Sequence, residues 1–198
     1  MAERCAWAGD DPLYQHYHDT EWGVPETDGR ALWEKLVLET FQAGLSWITI
    51  LRKRENFRAA FCGFDPDVIA GWGAPRVAEL LQDAGIVRHR GKIEATIANA
   101  RAWQRIEAEQ GFADYLWSHV DRCPLQTRAA DMSWVPAHTP LARTLASGLR
   151  ARGFRFCGPT TTYAFMQAAG LVNDHVVSCP RHAPVAAMAR RPVIAPGG

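Results

Sequence analysis

His175 and Cys179 stand at i and i+4, so one helical turn would put both side chains on the same face, as two ligands of one metal ion require. Near the other end of the chain, Cys5, His16 and His18 offer the complementary half-site. A Cys2His2 zinc site drawn from both ends would close nearly the whole chain into one loop. It would stabilise the fold rather than carry reactivity, because four protein ligands leave no open position on the metal. Spacing alone does not choose between His16 and His18. Cys62, Cys123 and Cys157 have no ligand-type neighbour and are expected to be buried thiols.

A second chemistry lies in Leu80–Ile93, which reads LLQDAGIVRHRGKI. Two helices joined around Gly85 make a hairpin in which a glycine at positive φ turns backbone N–H groups outward. The N-terminus of the second helix then attracts phosphate, and Arg88, Arg90 and Lys92 add to that attraction. Such a hairpin holds a DNA backbone without reading its sequence. Plain packing of two helices is the competing explanation.

The third candidate is aromatic. Trp7, Tyr14, Tyr17, Trp22, Trp33, Phe41 and Trp47 crowd the first fifty positions and suit a stacking pocket for a planar, cationic ligand. Trp33 and Phe41 fall on the inner stripe of their helix and belong to the core. Glu39 sits at the margin of that stripe with Leu32 and Leu36, either reaching water or walling a pocket. In a pocket, burial would raise its pKa and a neighbouring cation would lower it.

These residues must be positioned by helices. Asp28 caps a predicted helix to about Ala43, Gly44–Leu45 interrupts it, and Ser46 caps a second one towards Phe61. Further helices are predicted after Asp65–Pro66, over 75–82, 89–110, 112–120, 139–152 and 160–170. No segment alternates as a half-buried strand does, so the fold class is all-α. With 198 residues, 47% hydrophobic and 22% charged, the chain can bury one sizeable core without staples. Residues 1–182 are expected to form one domain, with the hairpin at about 75–110. The Pro-rich stretch 183–198 is expected to be a loose or disordered tail. A net charge of +1 neither demands nor excludes a polyanion partner. With no apolar leader after Met1, the expected compartment is the cytoplasm, alongside the bacterial nucleoid, and the expected state is a monomer.

Taken together, the blocks Asp11–Tyr14, Tyr17–Asp19, Glu21–Pro25, Gln42–Thr49, Gly85–Ile93, Phe165–Ala168 and Gly170–His175 resemble the 3-methyladenine DNA glycosylase I family. The resemblance runs from Arg4–Cys5 to about Cys179. It implies structural zinc held by Cys5, His18, His175 and Cys179, which selects His18 over His16. It implies a helix-hairpin-helix at Gly85 that grips double-stranded alkylated DNA. Glu39 would face the bound base, with Tyr14, Tyr17, Trp22 and Trp47 as aromatic neighbours and Trp7 near them. Gly44–Leu45 would be the wedge that fills the gap left in the duplex. The implied activity is base-excision repair: the damaged nucleotide is flipped out and its N-glycosidic bond hydrolysed, releasing 3-methyladenine. A zinc-stabilised damage-binding protein without turnover is the competing function.

Two departures matter. Val87 stands where the wider superfamily usually has a second glycine, and Arg101–Glu107 has no Asp where that superfamily places a catalytic one. The activated leaving group explains why none is needed. An N3-methylated adenine is a cation while attached to the sugar and leaves as a neutral base.

Overall fold

A computed structural model describes residues 4–189. The described chain contains ten α-helices, α1 to α10, three short 3-10 helices and one two-residue parallel bridge. Both N-terminal helices of the site start on aspartate caps. Asp11 accepts from the amides of Leu13 and Tyr14 to open α1 (Pro12–Thr20), and Asp28 accepts from Ala31 to open α2 (Gly29–Gln42). After the Gly44–Leu45 turn comes α3 (Trp47–Ala60), followed by α4 (Pro66–Ala70), α5 (Ala74–Leu80) and the long α6 (Arg90–Gln110). The chain continues through α7 (Phe112–Ser118), α8 (Pro140–Ala151), α9 (Pro159–Ala168) and α10 (His182–Met188).

The expected helices are all present, one or two residues shorter at several ends, where fraying and cap geometry set the limit. Ser46 holds the N-cap position of α3, but its hydroxyl bonds Thr49 Oγ1 at 2.8 Å rather than an amide. Three features go beyond the sequence reading. One is α1 itself. Another is the parallel pairing of Leu125–Gln126 (β1) with Val172–Asn173 (β2), too short to leave an alternating pattern. The third corrects the tail. Residues 183–188 are helical in α10 because Val185 is buried and anchors the helix on the core. The remainder of the expected tail, 190–198, lies outside the described residues.

Helix α2 is the centre of the molecule. Every side chain from Leu36 to Phe41 is buried, since α3, α6, α7 and α9 pack around it. Buried indoles of the surrounding core are satisfied: Trp33 donates to the Phe64 carbonyl at 2.9 Å and Trp117 to that of Glu26 at 2.8 Å. The end of α9 meets the Trp22–Pro25 segment at backbone contact distance. A Cβ on Gly170, whose φ is +72°, would lie 2.4 Å from the Val24 carbonyl carbon, so only glycine fits there. That approach brings the segment after α1 against the segment that carries His175 and Cys179. Among the described residues, no helix is long and apolar enough to cross a membrane.

Candidate active site and metal cluster

Between α1, α2, the start of α3 and α9 lies a cavity of about 160 Å³. Tyr14 and Tyr17 enter it from successive turns of α1, Trp22 from just beyond that helix, and Trp47 from the first turn of α3. The four aromatic residues named from the sequence therefore meet, and Trp7 joins them. The rings form one array, with Trp7 centred 4.9 Å from both Tyr14 and Trp22, and Tyr17 5.3 Å from Trp47. Gln42, Met132, Ala164 and Gln167 complete the wall. Of these, Gln42 and Gln167 lie within blocks already singled out. Met132 comes from a short turn remote in sequence, and no periodicity announces it.

Glu39 lines the same cavity and is 4% exposed. Among the described residues its carboxyl has no hydrogen-bond donor from the protein. Burial pushes Glu39 up to about 8, and only Lys35, one turn earlier on α2, pulls against it. The free site therefore holds a largely protonated carboxyl at neutral pH. Burial, and then the Glu39 charge, push the Tyr17 phenol well above its ordinary range. The indole N–H of Trp47 is likewise buried without an acceptor among the described residues. An aromatic pocket with uncompensated polar groups suits a planar ligand that brings its own hydrogen bonds or charge.

Against the outer side of Trp7 and Trp22 sits the second cluster. Cys5, His18, His175 and Cys179 are all buried, with one donor atom of each within 4.8 Å of the others. Three Sγ···N separations are 3.5–3.6 Å: Cys5 to His175 Nδ1, Cys179 to His18 Nε2, and Cys179 to His175 Nδ1. Those are the edges of a tetrahedron whose centre lies about 2.0–2.3 Å from each atom, the bond lengths of Zn–N and Zn–S. The outer hydrogen bonds fix the tautomers to match. His18 Nδ1 meets Asp19 at 2.8 Å, His175 Nε2 meets the Trp22 carbonyl at 3.0 Å, and the Arg181 amide donates to the Cys179 sulfur at 3.4 Å. Burial pushes the Cys5 thiol up to about 12 and holds His175 down at about 4, so Cys5 keeps its proton and His175 stays neutral until a cation draws the thiol proton off. His16 is exposed and takes no part.

The hairpin is α5, a turn and α6, but two details differ from expectation. Gly85 is not at positive φ. It is needed for space, since a Cβ there would lie 2.9 Å from Asp83 Oδ1 and 3.2 Å from Asn56 Cβ. The turn carbonyls face α3, where Lys53 Nζ donates to Ala84 and Gly85 at 2.9 and 3.2 Å. Among the described residues, the amides of Arg88, Arg90 and Gly91 have no acceptor, while His89 Nδ1 accepts from the Lys92 amide at 3.2 Å. Arg88 and Arg90 are exposed beside these donors.

Lys92 is a correction. It is 5% exposed, and its ammonium donates to the carbonyls of Phe41 and Ala43 at 2.8 and 2.6 Å. The end of α2 leaves carbonyls without helical partners, and a cation is the natural cap there. Lys92 thus holds the base of the Gly44–Leu45 turn instead of reaching a phosphate. Gly44 takes φ +81°, and Leu45, 39% exposed, projects from the turn between α2 and α3. Among the remaining cysteines only Cys157 is buried. Cys62 is exposed and Cys123 half-buried, because both lie in turns at helix ends.

Comparison with known proteins agrees over nearly the whole described chain. The DNA-3-methyladenine glycosylase 1 of Escherichia coli (strain K12) is 54% identical over 178 residues, covering 89% of this chain and 95% of its own length. The DNA-3-methyladenine glycosylase of Haemophilus influenzae is 46% identical, covering 91% and 98%. A crystal structure of 3-methyladenine DNA glycosylase I superposes with a TM-score of 0.90 at 55% identity, covering 91% of this chain and 100% of that one. The Staphylococcus aureus enzyme, in a structure described as the basis of its 3-methyladenine recognition, gives 0.88 at 38% identity, with 90% and 95% covered. A family model, Methyladenine glycosylase, matches residues 7–182, and on these grounds the chain belongs to the methyladenine glycosylase family.

Proposed function

We propose that the protein excises 3-methyladenine from alkylated duplex DNA, with Glu39 recognising the flipped base. The observation that carries this reading is the buried, unpartnered carboxyl of Glu39 in a pocket walled by aromatic rings. A protonated carboxyl presents an acceptor and a donor side by side. Adenine's outer edge offers the matching pair, an amino donor and the N7 acceptor, whereas guanine shows two acceptors there. The rings of Trp7, Tyr14, Tyr17, Trp22 and Trp47 favour a cationic base by about 0.5–2 kcal/mol per contact.

The reaction breaks the C1′–N bond and forms a C1′–O bond from water. The electron pair of the broken bond neutralises the methylated ring, and the water proton goes to solvent. Positive charge leaves the base as the bond breaks, so attraction between Glu39 and the cation acts in binding more than in the transition state. The rate comes from the activated leaving group and from holding the nucleotide out of the stack. Gly44–Leu45 fills the vacated space, and the exposed amides and arginines of the helix-hairpin-helix take the phosphates. Zinc at Cys5, His18, His175 and Cys179 is structural. It ties both ends of the chain behind Trp7 and Trp22, and a four-ligand site leaves no position for water.

Chromatography of bases released from methylated duplex DNA tests the reading. Release of 3-methyladenine with 7-methylguanine left in place is expected, and Glu39→Leu, which has neither donor nor acceptor, is expected to lose that selectivity. DNA binding without any released base would make the protein a damage binder and overturn the assignment.

A further inference from the structure

The segment between α8 and α9 contains the one exposed aromatic residue among the described residues held at positive φ with no regular structure of its own. Phe156 has φ +57° and is 42% exposed. A bulky side chain in the left-handed region is strained, and an exposed ring adds a second cost. Glycine would make the same turn without either, and the segment already has Gly153 and Gly158 beside it. The conformation is imposed from below. Asn99, wholly buried on α6, clamps the preceding residue by both backbone groups, accepting from the Arg155 amide at 2.7 Å and donating to its carbonyl at 3.1 Å. Phe154 and Cys157 point inward on either side. Arg155 and Phe156 are thereby both turned to solvent.

They are turned to a particular place. The Phe156 ring lies 6.0 Å from the His89 ring, edge to face, and its tip would be 3.6 Å from a Cβ on Gly91. His89 is the N-cap of α6 and Gly91 lies in its first turn. The turn therefore borders the unbonded amides of the hairpin, with Arg88 and Arg90 on the other side. Among the described residues, neither Arg88 nor Arg155 has a carboxylate within 4.0 Å, whereas Arg90 pairs with Glu94 at 3.5 Å. Uncompensated guanidiniums beside an exposed ring match the two faces of a nucleic-acid strand, the phosphate and the apolar side of the sugar.

We infer that Arg155 and Phe156 form a second contact with the sugar–phosphate backbone of duplex DNA, continuous with the Gly85 hairpin and oriented by the buried Asn99. The inference rests on the hairpin reading above and adds to it a segment more than sixty residues away in sequence. Arg155 takes a phosphate and Phe156 packs against a deoxyribose, so the contact is indifferent to base sequence.

The test measures affinity for an unmodified duplex as a function of salt, for the parent, Arg88→Ala, Arg155→Ala and Phe156→Gly. Loss of one phosphate contact lowers the slope of log K against log salt by about 0.9, and that is the result expected for Arg155→Ala as for Arg88→Ala. Phe156→Gly relieves the strained backbone, so its Tm is expected within about 4 °C of the parent while its affinity falls several-fold. A parental slope for Arg155→Ala overturns the inference, as does parental affinity for Phe156→Gly. Base release from methylated duplex is read on the same preparations. A parent that releases 3-methyladenine alongside an unchanged Arg155→Ala slope removes this contact and leaves the glycosylase assignment standing. A parent that releases nothing removes the assignment, and the slopes still judge the contact.

Discussion

The raised pKa of Glu39 makes the stability of this protein depend on pH in a direction opposite to most carboxylates. The group stands near 4.5 when unfolded and is pushed up to about 8 in the folded chain by burial. Between those values the folded state binds the extra proton, so stability is full below pH 4.5 and declines as pH rises through 8. Integrating one such group from pH 5 to pH 8 gives a loss of about 3–4 kcal/mol. Glu39→Gln keeps the shape and removes the titration. Its own cost, an amide without partners in the same pocket, does not vary with pH. The stability of Glu39→Gln relative to the parent must therefore climb by that amount across the range. For a chain of this length the relative Tm shift is about 10 °C. Thermal melts of the two proteins at half-unit steps from pH 5 to pH 8.5 measure it, with every other titrating group common to both. A Tm difference that stays constant across the range would refute the burial argument and place an ionised carboxylate in the free pocket.

Other perturbations test the remaining parts. His175→Ala removes one of four convergent ligands and is expected to cost about 5 kcal/mol or more, with one equivalent of zinc lost by elemental analysis. Metal stoichiometry unchanged from the parent would count against that site. Lys92→Met strands the carbonyls of Phe41 and Ala43, for an expected loss of about 2–4 kcal/mol in urea unfolding, whereas a phosphate contact at the surface would cost almost nothing. Leu45→Ala, at a solvent-exposed turn, is expected to leave the Tm within about 2 °C while slowing release from duplex at least ~10-fold and sparing methylated single strands. Equal slowing on both substrates would deny it the role of wedge.

What the sequence conveys and what it conceals divide along the range of the interactions involved. The α2 and α6 helices follow from caps and apolar spacing because those forces act within a few residues. By contrast, α1 shows no aliphatic stripe, since Tyr14, Tyr17 and His18 face an aromatic pocket and a ligand cluster rather than the main core. Its one local signal is Asp11–Pro12, a cap followed by proline in the first turn. Lys92 reads as one more cation in a basic run, and only the distant end of α2, folded against it, shows where its charge is spent. Gly85 is a glycine for the sake of Asn56 on another helix, not for its own dihedral angle.

Glu39 depends on the same long-range packing. Periodicity places it at the edge of a stripe, where a carboxylate ordinarily reaches water. The edge exists only while one side of α2 is open, and helices close on every side of its second half. Glu39 is then trapped among aromatic rings with no protein donor. Its raised pKa, its affinity for a ligand that is both planar and positive, and its cost to stability at high pH all follow from that enclosure. A substitution elsewhere that opens the packing around α2 should weaken recognition and flatten the pH dependence together, because both come from one burial.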